Sequence, residues 1–163
     1  MGEHVEVAVV GAGITGLATA FFLAERGIET VVLERAGVAA GASGVQPGGV
    51  RAQWGTRVNC LLARESQRFY RELDERLGRR VDARLEATGY LFLAHGDEML
   101  AELTANVALQ NELGIPSRIL GPDEVAALVP GLDVASVVGA AWNGEDGYFD
   151  RPQAVVEAFA RGA

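Results

Sequence analysis

Three glycines near the N-terminus have the spacing of a phosphate-binding turn. Gly11, Gly13 and Gly16 form the pattern G-x-G-x-x-G directly after a short apolar, β-branched run. In such a turn the first glycine permits a tight bend, the second lets the backbone approach a pyrophosphate, and the third lets the following helix lie close to the strand. The turn and the first helical positions are completed by Ala12, Ile14 and Thr15. Because a helix N-terminus attracts anions, the pattern predicts a pyrophosphate site there.

A carboxylate stands where a dinucleotide site needs one. The helix predicted over residues 14–26 ends before Gly27, and Glu34 follows a second apolar run at 29–33. A carboxylate at the end of this strand can accept hydrogen bonds from the 2′- and 3′-hydroxyls of an adenosine ribose. It disfavours a 2′-phosphorylated cofactor, because two negative groups would meet. Strand, glycine turn, helix and acid together favour a dinucleotide-binding βαβ unit over a plain one.

The segment at 35–55 is rich in Gly, Ala and Ser and lacks apolar periodicity, so it is predicted to be a loop. Ser43 offers a hydroxyl to a phosphate oxygen, and Gly48 and Gly49 place bare backbone where a flat or phosphorylated ligand could approach. A flexible linker has a similar composition. The position of the loop directly after Glu34 favours a lining for the cofactor.

The remaining chain alternates helices and short strands. A long helix is predicted over 56–77, with an apolar stripe formed by Val58, Leu61, Leu62, Phe69, Leu73 and Leu77. Further strands are predicted at 81–86, 90–94, 117–120 and 134–142, and further helices at 97–113, from 122 and at 152–161. These elements predict an α/β fold: a Rossmann-like parallel nucleotide-binding sheet, incomplete in this chain, with the start of an inserted α+β substrate domain.

The predicted domain boundaries follow this order of elements. Residues 1–79 would form the nucleotide-binding βαβ unit, its loop and the long helix, residues 80–145 the inserted block, and residues 146–163 the return to the nucleotide-binding domain. A third parallel strand should follow the helix at 152–161. We therefore expect the chain to be the N-terminal portion of a longer protein.

Composition narrows the function classes. The net charge of −8 argues against a nucleic-acid partner, and no apolar run has the length of a membrane span. Cys60 is the only cysteine, so the sequence has neither a disulfide framework nor a redox cysteine pair. Asp146 and Asp150 lack the spacing of an EF-hand, and we predict no metal site. With the first strand starting so early, we expect no secretory leader and a cytoplasmic protein.

Four stretches together resemble one enzyme superfamily: VVGAGITGLATAFFLAERG, VVLER, GASGVQPGGVRAQW and DGYFDRP before a helix. They are similar to the D-amino-acid oxidase, glycine oxidase and sarcosine oxidase superfamily of FAD-dependent oxidoreductases, especially to its members that resemble the sarcosine oxidase β-subunit. The first two stretches are shared by many flavin and nicotinamide proteins, and the third is more selective. The resemblance extends from end to end of this chain.

The resemblance implies FAD, bound in extended form without a covalent link. Its site residues would be Gly11, Ala12, Gly13, Ile14, Thr15 and Gly16 at the pyrophosphate, Glu34 at the ribose, Arg35 at the adenosine end, Ala42 and Ser43 by the phosphates, and Gly48, Gly49 and Val50 beside the isoalloxazine ring. Arg51 matches a position where some members carry an arginine near the flavin. As the candidate catalytic residue, this fixed cation would stabilise negative charge that develops on reduced flavin.

The implied reaction is oxidation of the C–N bond of a small amine or amino acid by hydride transfer to flavin, after which the imine hydrolyses in water. A disulfide reductase is disfavoured because Cys60 stands alone. Two alternatives stay open: a flavin-dependent hydroxylase with a similar opening, and a non-catalytic FAD-binding fragment or subunit that needs a partner chain. The sequence leaves open whether the protein forms a homo- or hetero-oligomer.

Overall fold

A computed structural model describes residues 4–78 and 80–162. Its strands are β1 (Val7–Val10), β2 (Thr30–Leu33), β3 (Gly49–Val50), β4 (Leu85–Glu86), β5 (Tyr90–Ala94), β6 (Arg118–Leu120), β7 (Gly139–Asn143) and β8 (Gly147–Phe149). Its helices are α1 (Ile14–Ala24), α2 (Ala42–Val45), α3 (Arg57–Arg71), α4 (Leu73–Arg76), α5 (Asp97–Glu112), α6 (Pro122–Leu128) and α7 (Pro152–Gly162). The chain divides into two compact units, a first one of residues 1–49, 72–84 and 149–163 and a second one of residues 50–71 and 85–148.

The first unit contains the predicted parallel strand pair. β1 pairs with β2 in parallel, with Val7 opposite Thr30 and Val10 opposite Leu33. The connection is α1, which buries an apolar face, as its helical spacing predicts. On that face Phe21 meets Phe159 of α7 edge to face, with ring centroids 5.6 Å apart. Burial of one such side chain contributes about 1.5–3 kcal/mol. This mixed architecture with a parallel sheet confirms the predicted fold class.

The second unit is organised around an antiparallel sheet of order β5-β7-β6. Phe92 of β5 lies opposite Ala141 of β7, and Ile119 of β6 pairs with the same residue from the other side. One part of the core consists of Leu120, Val125 and Ala140, with partly buried apolar neighbours. A smaller sheet has the order β3-β8-β4, and its residues Val50, Leu85–Glu86 and Gly147–Tyr148 belong to this unit. The unit thus joins the residues after the glycine-rich loop to the later strands.

The predicted apolar stripe of the long helix is wrong in its first half. The helix is present as α3 and α4 with a break at Glu72, but Val58 and Leu62 are 62% and 63% exposed. The buried residues of α3 are Cys60 and Gln67. Both make polar contacts, since the Cys60 thiol lies 3.2 Å from the carbonyl oxygen of Trp54 and Gln67 donates to a buried carboxylate. These contacts turn a different face of α3 inward than hydrophobicity alone predicts.

The two compact units do not follow the boundaries at residues 79 and 145, and the predicted domain division stays a prediction. Within residues 4–78 and 80–162, every helix is too short or too polar to cross a membrane.

Candidate nucleotide site and neighbouring loop

The glycine turn between β1 and α1 has the geometry that its spacing predicts. Gly11 adopts a φ of +105°, which favours glycine. A Cβ at Gly16 would collide with the carbonyl oxygen of Gly11, so the third glycine lets α1 lie against the turn. A Cβ at Gly13 would lie 3.2 Å from the Ser43 hydroxyl. The backbone conformation at Gly11 and the close contacts at Gly13 and Gly16 therefore disfavour a side chain at each of these three positions.

Ser43 lies at the N-terminus of α1. Its Oγ accepts a hydrogen bond from the backbone N–H of Ile14 at 3.0 Å, across 29 residues of sequence. The N-cap residue Gly13 supplies no side-chain cap, and the first turn of α1 carries no acidic residue. The positive end of the helix is therefore free of a carboxylate within its own first turn, as an anion site requires.

Glu34 lies against the same turn. Its Oε2 accepts from the backbone N–H of Ala12 at 2.9 Å, and its Oε1 accepts from that of Ala36 at 2.8 Å. These backbone hydrogen bonds, that of Ala12 first, lower the pKa of Glu34 below its usual value of 4.5. An open groove of about 640 Å³ adjoins this carboxylate, lined by Val10, Gly11, Val32, Leu33, Glu34 and Arg35. An ionised acceptor thus stands in a groove beside the phosphate-binding turn.

These features fit the pyrophosphate and adenosine ribose of a dinucleotide. The three glycine positions disfavour side chains, the helix end is positive, and the carboxylate offers acceptors suited to hydroxyl groups. The predicted site residues that belong to this first unit are Gly11, Ala12, Gly13, Ile14, Thr15, Gly16, Glu34, Arg35, Ala42, Ser43, Gly48 and Gly49. Val50 and Arg51 belong to the second unit.

The glycine-rich loop is held by the later motif DGYFDRP. Gly48 has a φ of +82°, and its carbonyl oxygen accepts from the backbone N–H of Phe149 at 2.9 Å. A Cβ at Gly48 would lie 2.7 Å from the carbonyl oxygen of Phe149 and 3.3 Å from the Pro152 ring. Two of the stretches that carry the family resemblance therefore pack against each other, and glycine is required at their contact.

Arg51 stacks on aromatic rings in the second unit. Its guanidinium carbon lies 4.3 Å from the ring centroid of Trp54 and 5.0 Å from that of Phe92. All three residues border a cavity of about 200 Å³ that Gln110 also lines. Within the described parts of the chain, no carboxylate forms an ion pair with Arg51. The positive charge is therefore available to an anionic group.

The sequence analysis missed a buried polar cluster beside Arg51. Asp146 is fully buried and accepts hydrogen bonds from the Ala52 backbone and from the side-chain amides of Gln53, Gln67 and Asn143. Burial raises the pKa of Asp146, while the hydrogen bonds oppose that rise. The available signals were the Asp-Gly pair of the DGYFDRP motif and a glutamine at helical spacing from Cys60 on α3.

A search for metal-binding groups covers residues 4–78 and 80–162. Within them, no group of three or more His, Cys, Asp or Glu side chains could hold a metal ion.

Comparisons with known proteins identify the family of this chain. Residues 6–163 match the family model described as FAD dependent oxidoreductase. The chain is 31% identical to FAD-dependent oxidoreductase domain-containing protein 1 of Xenopus laevis, over 99% of this chain and 34% of that protein.

Two solved structures share the fold. The L-proline dehydrogenase of P. horikoshii superposes with a TM-score of 0.88 at 32% identity, covering 99% of this chain and 42% of that one. The glycine oxidase of Geobacillus kaustophilus superposes with a TM-score of 0.81 at 28% identity, covering 97% and 44%. This chain thus spans from about a third to less than half of the length of these relatives. Its cofactor class is FAD, and the chain belongs to the FAD-dependent oxidoreductase family.

Proposed function

We propose that the protein to which this chain belongs oxidises the C–N bond of a small amine or amino acid, with a sarcosine-, glycine- or D-amino-acid-type substrate, and that the resulting imine hydrolyses in water. The observation that carries the cofactor part of this proposal is the three-glycine turn at the N-terminus of α1, with hydrogen bonds from its backbone to Ser43 and Glu34. The substrate class is supported by two relatives whose names specify glycine and L-proline, both of them amino acids.

The residues of the turn would hold the cofactor. Gly11, Gly13 and Gly16 would admit the pyrophosphate to the backbone N–H groups of α1, and Ser43 would donate its hydroxyl hydrogen to a phosphate oxygen. Glu34 would accept from the ribose hydroxyls, because it is ionised near neutral pH. When bound, FAD supplies the acceptor for the hydride equivalent that leaves the substrate carbon.

Gly48, Gly49 and Val50 would line the isoalloxazine ring, and Arg51 would supply a fixed positive charge near it. A cation held in place before the reaction stabilises developing negative charge without reorganisation during the reaction. Two features support this role of Arg51: its stacking on Trp54 and Phe92, and its lack of an ion-pair partner in the described parts of the chain.

The test is the anaerobic absorbance spectrum of the protein expressed from its full reading frame. We expect yellow protein whose flavin band bleaches on addition of sarcosine, glycine, proline or a D-amino acid, at a rate that rises with amine concentration. A matched set of carboxylic acids without the amine serves as the control and should leave the band unchanged. Colourless protein that fails to take up added FAD would overturn the cofactor assignment.

The same experiment distinguishes the alternatives. Bleaching by a reduced nicotinamide but by no amine would support a flavin-dependent hydroxylase. A non-catalytic FAD-binding subunit would stay yellow with both reductants and would gain activity only with a partner chain. This chain covers only part of the length of its relatives. The second outcome should therefore also be tested by co-purification with a partner chain. The cytoplasmic compartment stays a prediction, and the choice between a homo- and a hetero-oligomer stays open.

A further inference from the structure

The Asp146 carboxylate collects hydrogen bonds from four directions. Its Oδ1 accepts from the Ala52 backbone at 2.8 Å, from Gln67 Nε2 at 2.7 Å and from Asn143 Nδ2 at 3.3 Å, while Oδ2 accepts from Gln53 Nε2 at 3.1 Å. All four donors are N–H groups, which suits an acceptor-only carboxylate. The cluster joins α3, β7, the β7–β8 turn and the segment that follows Arg51.

Burial of the Asp146 carboxylate costs free energy that its hydrogen bonds must offset. Asp146 is fully buried, and within the described residues no cation faces it. Removing a carboxylate from water is unfavourable unless hydrogen bonds replace its hydration. A neutral or apolar residue could fill this volume at lower cost, so the carboxylate is best explained by what its hydrogen bonds hold in place.

The hydrogen bonds hold the segment next to Arg51. Ala52 and Gln53 are both buried, and Gln53 also donates to the carbonyl oxygen of Tyr90 at 3.0 Å. The Trp54 indole donates to the carbonyl oxygen of Arg51 at 3.3 Å, while its ring lies under the Arg51 guanidinium. The side chain of Arg51 therefore depends for its position on a backbone segment that Asp146 fixes.

We propose that Asp146 is a positioning residue that, by fixing residues 52–53, sets the place of the Arg51 guanidinium. The inference rests on the proposed function only for what Arg51 does once it is in place. Nothing in this role requires Asp146 to touch substrate or cofactor.

The test uses the full-length holoprotein and the variant Asp146→Asn, with Glu145→Gln as matched control. Both variants remove one negative charge without changing the size of the side chain, but Glu145 is exposed and pairs with Arg71. An asparagine at 146 keeps one acceptor oxygen and replaces the other with an NH₂ group, which faces donors that need an acceptor. We expect Asp146→Asn to lower the efficiency of anaerobic flavin reduction by at least about tenfold while FAD content is kept, and Glu145→Gln to stay within about twofold.

A double-mutant cycle separates positioning from general stability. In an Arg51→Met background, Asp146→Asn should cause no more than about a twofold further loss, because the group that it positions is gone. Losses that multiply in the double variant would overturn the proposal. If Asp146→Asn does not fold, Gln67→Met removes one donor only, and the same cycle with Arg51→Met decides the question in the same way.

A second readout does not depend on activity. Hydrogen exchange of the peptide that contains Ala52 should be at least about tenfold faster in Asp146→Asn than in wild type, and unchanged in Glu145→Gln. Unchanged exchange in Asp146→Asn would overturn the proposal. If no amine reduces the wild-type flavin, the proposed function fails, and this exchange measurement alone decides whether Asp146 fixes the segment.

Discussion

The turn before α1 and the segment after Arg51 are held by different kinds of contact. At the turn, glycines remove side chains so that backbone meets backbone, and the supporting side chains Ser43 and Glu34 bind main-chain N–H groups. After Arg51, the backbone is fixed by a buried carboxylate and the amides of distant residues. The first kind of site has a strict local pattern, whereas the second depends on partners that only the fold brings together. Substitutions at the turn should therefore lower FAD binding, whereas substitutions near Arg51 should lower flavin reduction while FAD stays bound.

The largest effect is expected for Gly16→Ala. The added Cβ collides with the carbonyl oxygen of Gly11, so α1 must move away from the turn, at a cost of about 1–3 kcal/mol in unfolding free energy. FAD content should fall with it, in contrast to Asp146→Asn. Thermal melting and the ratio of flavin to protein absorbance measure both changes.

Gly37→Ala is the matched control, because a Cβ there meets nothing within 4 Å. It should change the unfolding free energy by less than about 0.5 kcal/mol. Normal FAD content in Gly16→Ala would contradict the close approach of α1 to the turn.

A smaller effect is expected for Ser43→Ala. The change removes the acceptor for the Ile14 N–H, which costs about 1 kcal/mol, as loss of a helix cap does. FAD affinity should fall by about fivefold, since 1.4 kcal/mol corresponds to a factor of ten. Titration of apoprotein with FAD, followed by flavin fluorescence, measures the change.

Ser66→Ala provides the comparison for that serine. Ser66 donates only to the Leu62 carbonyl on the exposed face of α3, and its loss should leave FAD affinity unchanged. Equal FAD affinities in the two serine variants would contradict a role of Ser43 in FAD binding.

The smallest effect is expected in the pH dependence set by Glu34. The pKa of Glu34 is lowered in the folded protein. Its contribution to the free energy of unfolding is therefore fully present above its usual pKa of 4.5 and is lost as the pH falls through the lowered value. Folding stability, and with it FAD retention, should therefore decline as the pH falls from that usual value through the lowered one. Glu34→Gln should flatten the decline in a series of FAD titrations from pH 3 to 7.

Glu29→Gln is the matched control, because it alters an exposed carboxylate just before β2, the strand that Glu34 follows. This variant should keep the wild-type pH profile. An unchanged profile in Glu34→Gln would assign the decline to another group.

The sequence predicts the glycine turn before α1 better than it predicts the segment after Arg51. The spacing of Gly11, Gly13 and Gly16 predicts the turn because each role depends on a missing side chain, which is visible in the sequence itself. The strand pair, the strand at 90–94 and the helices at 97 and 152 follow from periodicity and capping residues, and their bounds agree closely with the structure.

The Asp146 cluster could not be predicted in this way. Its members are separated by up to 94 residues, and an isolated Asp before Gly has the appearance of a turn residue. The prediction of which face of α3 is buried was wrong for the same reason. Gln67 is buried because Asp146 accepts its hydrogen bond, and hydrophobic periodicity assigns no inward position to a glutamine.

The long separation between Ala52 and Asp146 also has a consequence for the order of folding. The pairing of β1 with β2 spans a single helix, so the loop that must close is short and the nucleotide turn can assemble early. The hydrogen bond from Ala52 to Asp146 closes a loop of 94 residues, which costs more chain entropy. During synthesis on the ribosome, the turn would be complete long before residue 146 emerges. The segment beside Arg51 would then reach its final conformation later than the turn does.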